Sequence, residues 1–478
     1  EYVKAIVAEL KKNEKWVGKG SGDVLYFVDN YTAEAKTVAK AFDTIMKKAK
    51  IPYQTVTGGC IGSAIFSLSG MTMYYAGPAA IITWIVAAII LGCYGVQVAE
   101  LSVRYPHSGG VYVCPAKSLG KFWGYLAAWG YIISNFIAVA FSAIYVATYL
   151  GVGFEALSGL QIPLALASIL FCVILNLRKI TDAGKFNNIL VGLLIITMLA
   201  FGIIALSHSN FNWGNYANFF DGGMGKTGWI QAIPNAMVAY GSVVAIAFMV
   251  GQVKDPNRTV PKSMAIALII VVALYLLMII GTMGHITTQF LVENPGMRFI
   301  PMFAAAWTSM TNVPWLSKLI SISAFLALIT TMLVVQNLNA LTIQAMAEDG
   351  ALPKAFAKTN KNGAPSVGII VSAVIAAALS CQPSWTELLV NLGSIAAAFT
   401  IVIVCYSLIK SRQQIPYIEG NYKAPGGNAL SWITIIVIVA SYIPAIFNGG
   451  AQMWIFTAII YIVGILIYFL YSKKHLAE

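Results

Sequence analysis

Charge is what this 478-residue sequence has least of: Lys, Arg, Asp and Glu together make up 10% of it, and only 18 residues are acidic. A soluble globular protein carries about 25% charged residues. With 59% hydrophobic residues and a mean hydropathy of +0.77, the chain has more apolar surface than a water-soluble fold can bury. It therefore reads as a polytopic membrane protein. Histidine is also scarce, four in all, and neither HExxH nor GxSxG occurs. That argues against a membrane-embedded enzyme, which needs a clustered nucleophile and base or a set of metal ligands. Six cysteines (Cys60, Cys93, Cys114, Cys172, Cys381 and Cys405) form no CxxC pair and lie mostly in apolar runs. They read as small buried hydrophobes, not as a disulfide framework or a zinc site. A channel would show a charged lining ring or a repeated filter loop, and neither is visible.

Long uncharged apolar runs are abundant. A run of about 20 residues crosses the roughly 30 Å hydrocarbon core, and twelve such spans can be drawn: 52–77, 79–101, 123–150, 161–177, 187–208, 229–252, 264–284, 316–347, 364–381, 387–409, 430–448 and 452–472. The eighth is long, and its end beyond Gln344 is expected to project from the bilayer. Of the 30 Lys and Arg residues, 27 fall in the N-terminal tail, the C-terminal tail and the loops after even-numbered spans; the opposite side holds Lys226, Arg298 and Lys318. Positive charge stays cytoplasmic, so both termini are expected inside, in the cell membrane. The net charge of +12 then needs no nucleic-acid partner; attraction to anionic lipid follows from it.

Residues 1–50 form a separate, soluble cytoplasmic segment. Helices are expected at 2–13 and from Ala33 to Ala49, a turn at GKGSGD (18–23) and a short strand at VLYFV (24–28). The turn lacks the GxxxxGK[ST] order of a phosphate loop. The segment reads as a small cap or as a basic amphipathic surface on the inner leaflet.

The first span carries Gly58, Gly59, Gly62 and Gly70. Each glycine costs a helix interior roughly 0.5–1 kcal/mol relative to alanine. Non-helical backbone is tolerated in a membrane only where it packs in protein or lines a cavity, so a break there points to a binding site. Close helix packing through the Gly58/Gly62 spacing is the other reading. The sixth span, AIPNAMVAYGSVVAIAF (232–248), is interrupted by Pro234 and Gly241 and carries polar Asn235, Tyr240 and Ser242. Interrupted segments at corresponding places in two halves are the sequence mark of a transporter site, where half-helix ends hold an anion and a cation.

Four motifs now carry a resemblance. GGCIGSAIF (58–66) resembles GxIGSGIF, AELSVRYPHSGGVYV (99–113) resembles AELxxxxPxSGGxYxY, VKDPNRTVPKS (253–263) resembles EVKNPxRxIPxA, and AMAEDGALPKAFAK (345–358) resembles AxARDGxLPxxFAK. These are signatures of the amino acid–polyamine–organocation (APC) permeases, in order, over residues 52 to 410. The resemblance implies an all-α, LeuT-like fold of 5+5 inverted repeats with two additional helices, twelve transmembrane helices in all. The ten-helix core would be 51–409, with repeats at about 51–208 and 229–409, and helices 11 and 12 with a short cytoplasmic tail at 410–478. It implies transport of amino acids or related amines by alternating access. By motif position, the substrate carboxylate would meet backbone at Gly62, Ser63 and Ala64, and the amino group carbonyls at Val238, Ala239 and Gly241, beside Ser242. Tyr240 would close over the substrate. The chain departs from the family at Ala64, where the motif has glycine; at Gly251-Gln252, in place of an acidic pair; at Glu348, in place of arginine; and at Leu194, where some relatives carry a proton-coupling lysine.

Other polar residues admit two readings. Glu100 is a gating or coupling group, or a carboxylate that anchors a loop through Arg104 or a backbone N–H. Asn391 and Ser394 in the tenth span, and Asn337 and Asn339 in the eighth, line the pocket or join helices. His107, His208 and His285 read as interfacial, and Thr330 and Thr331 are weak candidates for a sodium site. No charge lies mid-membrane to match a charged side chain, and burying an unpaired charge is costly, so a neutral amino acid is favoured. Proton coupling or amino acid exchange is expected, with no cofactor and no metal. A sensor that binds without transport, or an amine or polyamine permease, is the rival reading.

Overall fold

The computed structural model describes residues 63–105, 110–178, 180–248, 250, 255–417, 419–448 and 451–476. The chain divides into two units, 1–50 and 51–478. The first unit, with its expected turn, strand and helices, lies outside the described residues, as do Gly58, Gly59, Gly62 and His107.

Among the described residues the regular elements are helical; pairing of extended backbone is limited to an isolated bridge between Gly222 and Gly225. The first span appears as α1 (Ser63–Ser67) and α2 (Ser69–Ala76), followed by α3 (Ala80–Arg104). After the short α4 (Gly110–Leu119) come α5 (Lys121–Gly153), α6 (Gln161–Asn176) and α7 (Ile180–Ser207). The sixth span is split into α8 (Gly228–Gln231), α9 (Ile233–Val238) and α10 (Ala245–Phe248). Then follow α11 (Pro256–Met283), α12 (Thr288–Glu293), α13 (Pro301–Thr308) and α14 (Trp315–Glu348). The chain continues with α15 (Ser366–Ser380), α16 (Thr386–Gln414), α17 (Gly427–Asn448) and α18 (Ala451–Ile467), which runs into a π-turn at Tyr468–Ser472.

Among the described residues, seven stretches are long and apolar enough to cross a membrane: Ser69–Arg104, Lys121–Gly153, Ile189–Ser207, Pro256–Met283, Trp315–Glu348, Pro383–Gln414 and Ala451–His475. The apolar helices Gln161–Asn176, Ser366–Ser380 and Gly427–Ile443 are shorter. The protein is therefore a multi-pass membrane protein, helical throughout the regular elements of the described residues apart from the Gly222–Gly225 bridge.

Local chemistry explains where the elements depart from the apolar runs. The VKDPNRTVPKS stretch is not all loop: Pro256 opens α11 eight residues before the apolar run begins. Proline suits a first helical turn, where its missing N–H has no partner to lose. Helices α4, α12 and α13 were not legible as spans, since each has ten residues or fewer. Thr287 caps α12, its hydroxyl accepting the Phe290 N–H at 3.1 Å. After α14 the chain turns at Gly350, with φ +83°, and a methyl there would strike the His475 carbonyl. The Ser472 hydroxyl donates to the Ala351 carbonyl at 2.7 Å and ties the π-turn to the residue that follows the AEDG motif.

Lipid tails are as apolar as leucine, so helices in a membrane associate through close packing and buried hydrogen bonds. Both are present. Gly153 of α5 lies against Ser321 of α14, and Gly130 lies against Ala396 and Thr400 of α16. The Thr400 hydroxyl donates to the Ala127 carbonyl at 2.9 Å. Asn176 donates to Gln336 at 2.9 Å, Asn339 to Ser372 at 3.1 Å, and Gln97 to Thr434 at 2.9 Å. Helices α5 and α14 form the middle of the bundle, while α18 turns Ile455, Ile459, Ile462 and Leu466 outward.

Two ends of the bundle are defined by their loops. At one, Ala79 N–H bonds Phe219 O and Asn212 N–H bonds Gly284 O, each at 2.9 Å. At the other, Asn360 donates to Leu177 O at 2.8 Å and Gln414 to Ser118 O at 3.0 Å.

Candidate functional site

The interruption of the sixth span is built by its own residues. Pro234 sits in the first turn of α9, and the helix ends at Val238. Hydrogen bonds then shift to the tighter i→i−3 pattern: Ala239 N–H to Ala236 O, Tyr240 N–H to Met237 O and Val243 N–H to Tyr240 O, at 3.1, 3.1 and 3.0 Å. Gly241–Val244 forms a 3₁₀ turn before α10. Such a turn inside a helix often marks a functional hinge. Gly241 is exposed, and nothing lies within 4 Å of where a methyl would sit on it. Ser242 and Val238 are partly buried, and Ala239 is buried.

Tyr240 is fully buried in an aromatic hub. Its ring lies 5.9 Å from Trp84 of α3 and 5.4 Å from Tyr275 of α11, and Trp84 meets Tyr275 edge-on at 5.1 Å. The Trp84 indole N–H donates to Thr72 Oγ1 of α2 at 2.8 Å. One chain of contacts thus joins the first span, α3, the break in the sixth span and α11.

The first span is held from α5. Tyr149 donates its hydroxyl to the Phe66 carbonyl at 2.6 Å, and the two rings meet edge-on at 6.0 Å. Ala64 is buried, at 3% exposure. Ser63 is the first residue of α1, and Gly62 lies outside the described residues.

A crevice of about 280 Å³, counting its open mouth, is bordered by the first and sixth spans. Leu68, Met71 and Tyr75 come from the first, Asn235 from the sixth, Tyr145 from α5, Phe299 from the segment before α13, and Thr386, Glu387, Val390 and Asn391 from α16. Asn391 is thus at the crevice. Ser394 is buried behind it: its hydroxyl donates to the Asn391 carbonyl at 2.9 Å, and its carbonyl accepts the Tyr442 hydroxyl at 2.8 Å. Tyr240 does not line the crevice but packs in the hub beside it.

Glu100 lies at the other end, twenty residues along α3 from Ala80, or about 30 Å of helix. It is 1% exposed and accepts from Arg104 at 3.0 Å, from Arg412 at 3.0 and 2.5 Å, and from the Ala424 N–H at 2.9 Å. It therefore ties α3 to α16 and to the segment that follows α16.

Thr330 and Thr331 turn their hydroxyls back to the Ala327 carbonyl, each at 2.9 Å. Asn339 spans to α15, Asn337 is partly buried, and Leu194 is wholly buried in the apolar core. His285 and His208 stack edge-on at 5.5 Å at the crevice end. His285 is held by Ser309 and the Ala205 carbonyl, each at 2.9 Å, and burial lowers its pKa.

Tyr149, Trp84, Tyr145 and Glu387 could not be singled out from the sequence. An aromatic in an apolar run looks like packing, and Glu387 marks only the start of an apolar run.

A family model described as amino acid permease matches residues 54–470. The chain belongs to the amino acid permease family. This agrees with the four motifs and makes the protein a permease, not an enzyme. Among its relatives, a branched-chain amino acid permease of Lactococcus lactis subsp. cremoris is 26% identical over 450 residues, covering 87% of this chain and 92% of that protein. A methylthioribose transporter of Bacillus subtilis is 27% identical over 448 residues, covering 87% and 91%. An aspartate-proton symporter of Bacillus subtilis is 27% identical over 367 residues, covering 72% and 69%.

Proposed function

We propose that this permease moves neutral amino acids across the cell membrane by alternating access, as a proton-coupled carrier or an amino acid exchanger. The observation that carries the reading is that the first span and the interrupted sixth border one crevice and share one aromatic hub. A zwitterion needs both ends of a broken helix: N–H groups for its carboxylate and carbonyls for its ammonium. Gly62, Ser63 and Ala64 are the proposed carboxylate contacts. Val238, Ala239, Gly241 and Ser242 are the proposed ammonium contacts, with Tyr240 closing the site.

The twelve-span, 5+5 inverted-repeat arrangement is part of the same proposal. It is supported by a helix on each of the expected apolar runs and by the interruption of the sixth. The excess of basic residues on one set of loops supports termini on the cytoplasmic side. Relatives named for branched-chain amino acids favour a neutral substrate, and one named as a proton symporter favours the proton. A second reading, a neutral substrate without the amino acid carboxylate, draws on Ala64, whose methyl crowds the place where a carboxylate would meet backbone. The methylthioribose transporter is a relative of that kind.

Uptake by proteoliposomes decides between these. Labelled leucine, valine and alanine are expected to accumulate with an inward proton gradient or against internal amino acid. Binding without uptake would make the protein a sensor. Uptake of methylthioribose with no binding of amino acids would establish the second reading.

A further inference from the structure

We propose that the crevice between the first and sixth spans is an initial capture site for the ammonium group of the substrate, with Glu387 as its counter-charge, from which the ammonium passes to the carbonyls of the sixth span; this rests on the reading of the chain as an amino acid transporter. The enclosed space of the crevice is about 10 Å³, enough for a single water-sized group such as an ammonium head and far below the roughly 300–1,000 Å³ of sites that enclose a whole ligand. It has room for one end of a small molecule. Its chemistry says which end. Glu387 is a solvent-exposed carboxylate that makes no ion pair among the described residues. Asn235, Asn391, Tyr75 and Phe299 also line it, residue types whose amide oxygens and ring faces attract a cation.

A second observation is independent of that charge. Tyr145 also lines the crevice, and it is 2% exposed. Its hydroxyl is buried with no hydrogen-bond partner among the described residues. A buried polar atom left unmade is costly, and an ammonium entering the crevice offers it three donors. The nearby cation, Arg298, is already engaged: its guanidinium lies 3.6 Å over the Tyr74 ring and donates to the carbonyls of Leu291 and Val292 at 2.7 and 3.1 Å. It does not fill the site. The crevice therefore accepts a protonated amine and disfavours a second carboxylate, which makes Glu387 a specificity-determining residue.

The test compares wild type, Glu387→Gln and Tyr145→Phe in binding and uptake of labelled leucine, with leucinol (no carboxylate) and N-acetylleucine (no ammonium) as competitors. Because Glu387 is exposed and unpaired, its substitution leaves the fold intact, which melting in detergent checks. Glu387→Gln is expected to raise KM about tenfold, the scale of one charge-assisted hydrogen bond, with kcat within about twofold. It should also remove competition by leucinol, and Tyr145→Phe should raise KM about threefold. Unchanged KM and unchanged competition in Glu387→Gln would overturn the capture site while leaving the transporter reading in place. A wild-type protein that neither binds nor transports leucine or any other amino acid would overturn both.

Discussion

Tyr149 shows how a single hydroxyl can matter in a site made largely of backbone. Its bond to the Phe66 carbonyl pins α1, in the first span, to α5. Tyr149→Phe removes about 1 kcal/mol of stability, the net worth of one hydrogen bond. It is expected to lower the melting temperature in detergent slightly and to raise the KM of uptake several-fold. A wild-type KM would show that the bond only holds helices together. At this scale the sequence told part of the story. Tyr240 was visible because it sits between Pro234 and Gly241, and Asn391 because an amide stands out in an apolar run. Tyr149 was not, since its partner is 83 residues away and its own surroundings are apolar. Tyr145 and Glu387 were hidden for the same reason: only the packing of five segments gives the crevice its polar lining.

Among the elements, α2 is closely approached by the segment before α13. A methyl on Gly70 would collide with the Arg298 carbonyl and touch Pro301, so this glycine lets the segment before α13 close over α2. Overpacking of this kind costs about 1–3 kcal/mol, and here the cost falls on the closed form of the crevice end. Gly70→Ala is expected to open that end. In a background lacking the exposed Cys381, a cysteine introduced by Val390→Cys should then react several-fold faster with a membrane-impermeant thiol reagent. Equal rates would mean that the loop adjusts without opening. Long helices were legible because an uncharged run of some twenty residues leaves few alternatives. The short α4, α12 and α13 were not. They are too brief to show a span, and tertiary contacts such as the Gln414–Ser118 bond hold the segment of α4 in place.

For the whole molecule, the Glu100 cluster is the tie at the end away from the crevice. Removing one partner of a buried ion pair costs about 3–5 kcal/mol, because the other charge is left unmatched. Glu100→Gln is expected to lower the melting temperature sharply, and the double variant with Arg412→Gln should recover part of the loss. Retained stability with lost uptake would instead mark Glu100 as a gating group. The bundle also has a thin side. Helices α6 and α15, of 16 and 15 residues, pack against each other and measure about 24 and 22 Å, while α14, of 34 residues, measures about 51 Å. On the twelve-span reading, the lipid beside α6 and α15 must be compressed below the usual hydrocarbon thickness of about 30 Å, while α14 overhangs it in the middle of the bundle. On that reading the protein would carry a built-in hydrophobic mismatch on one face, which short-chain lipids would relieve.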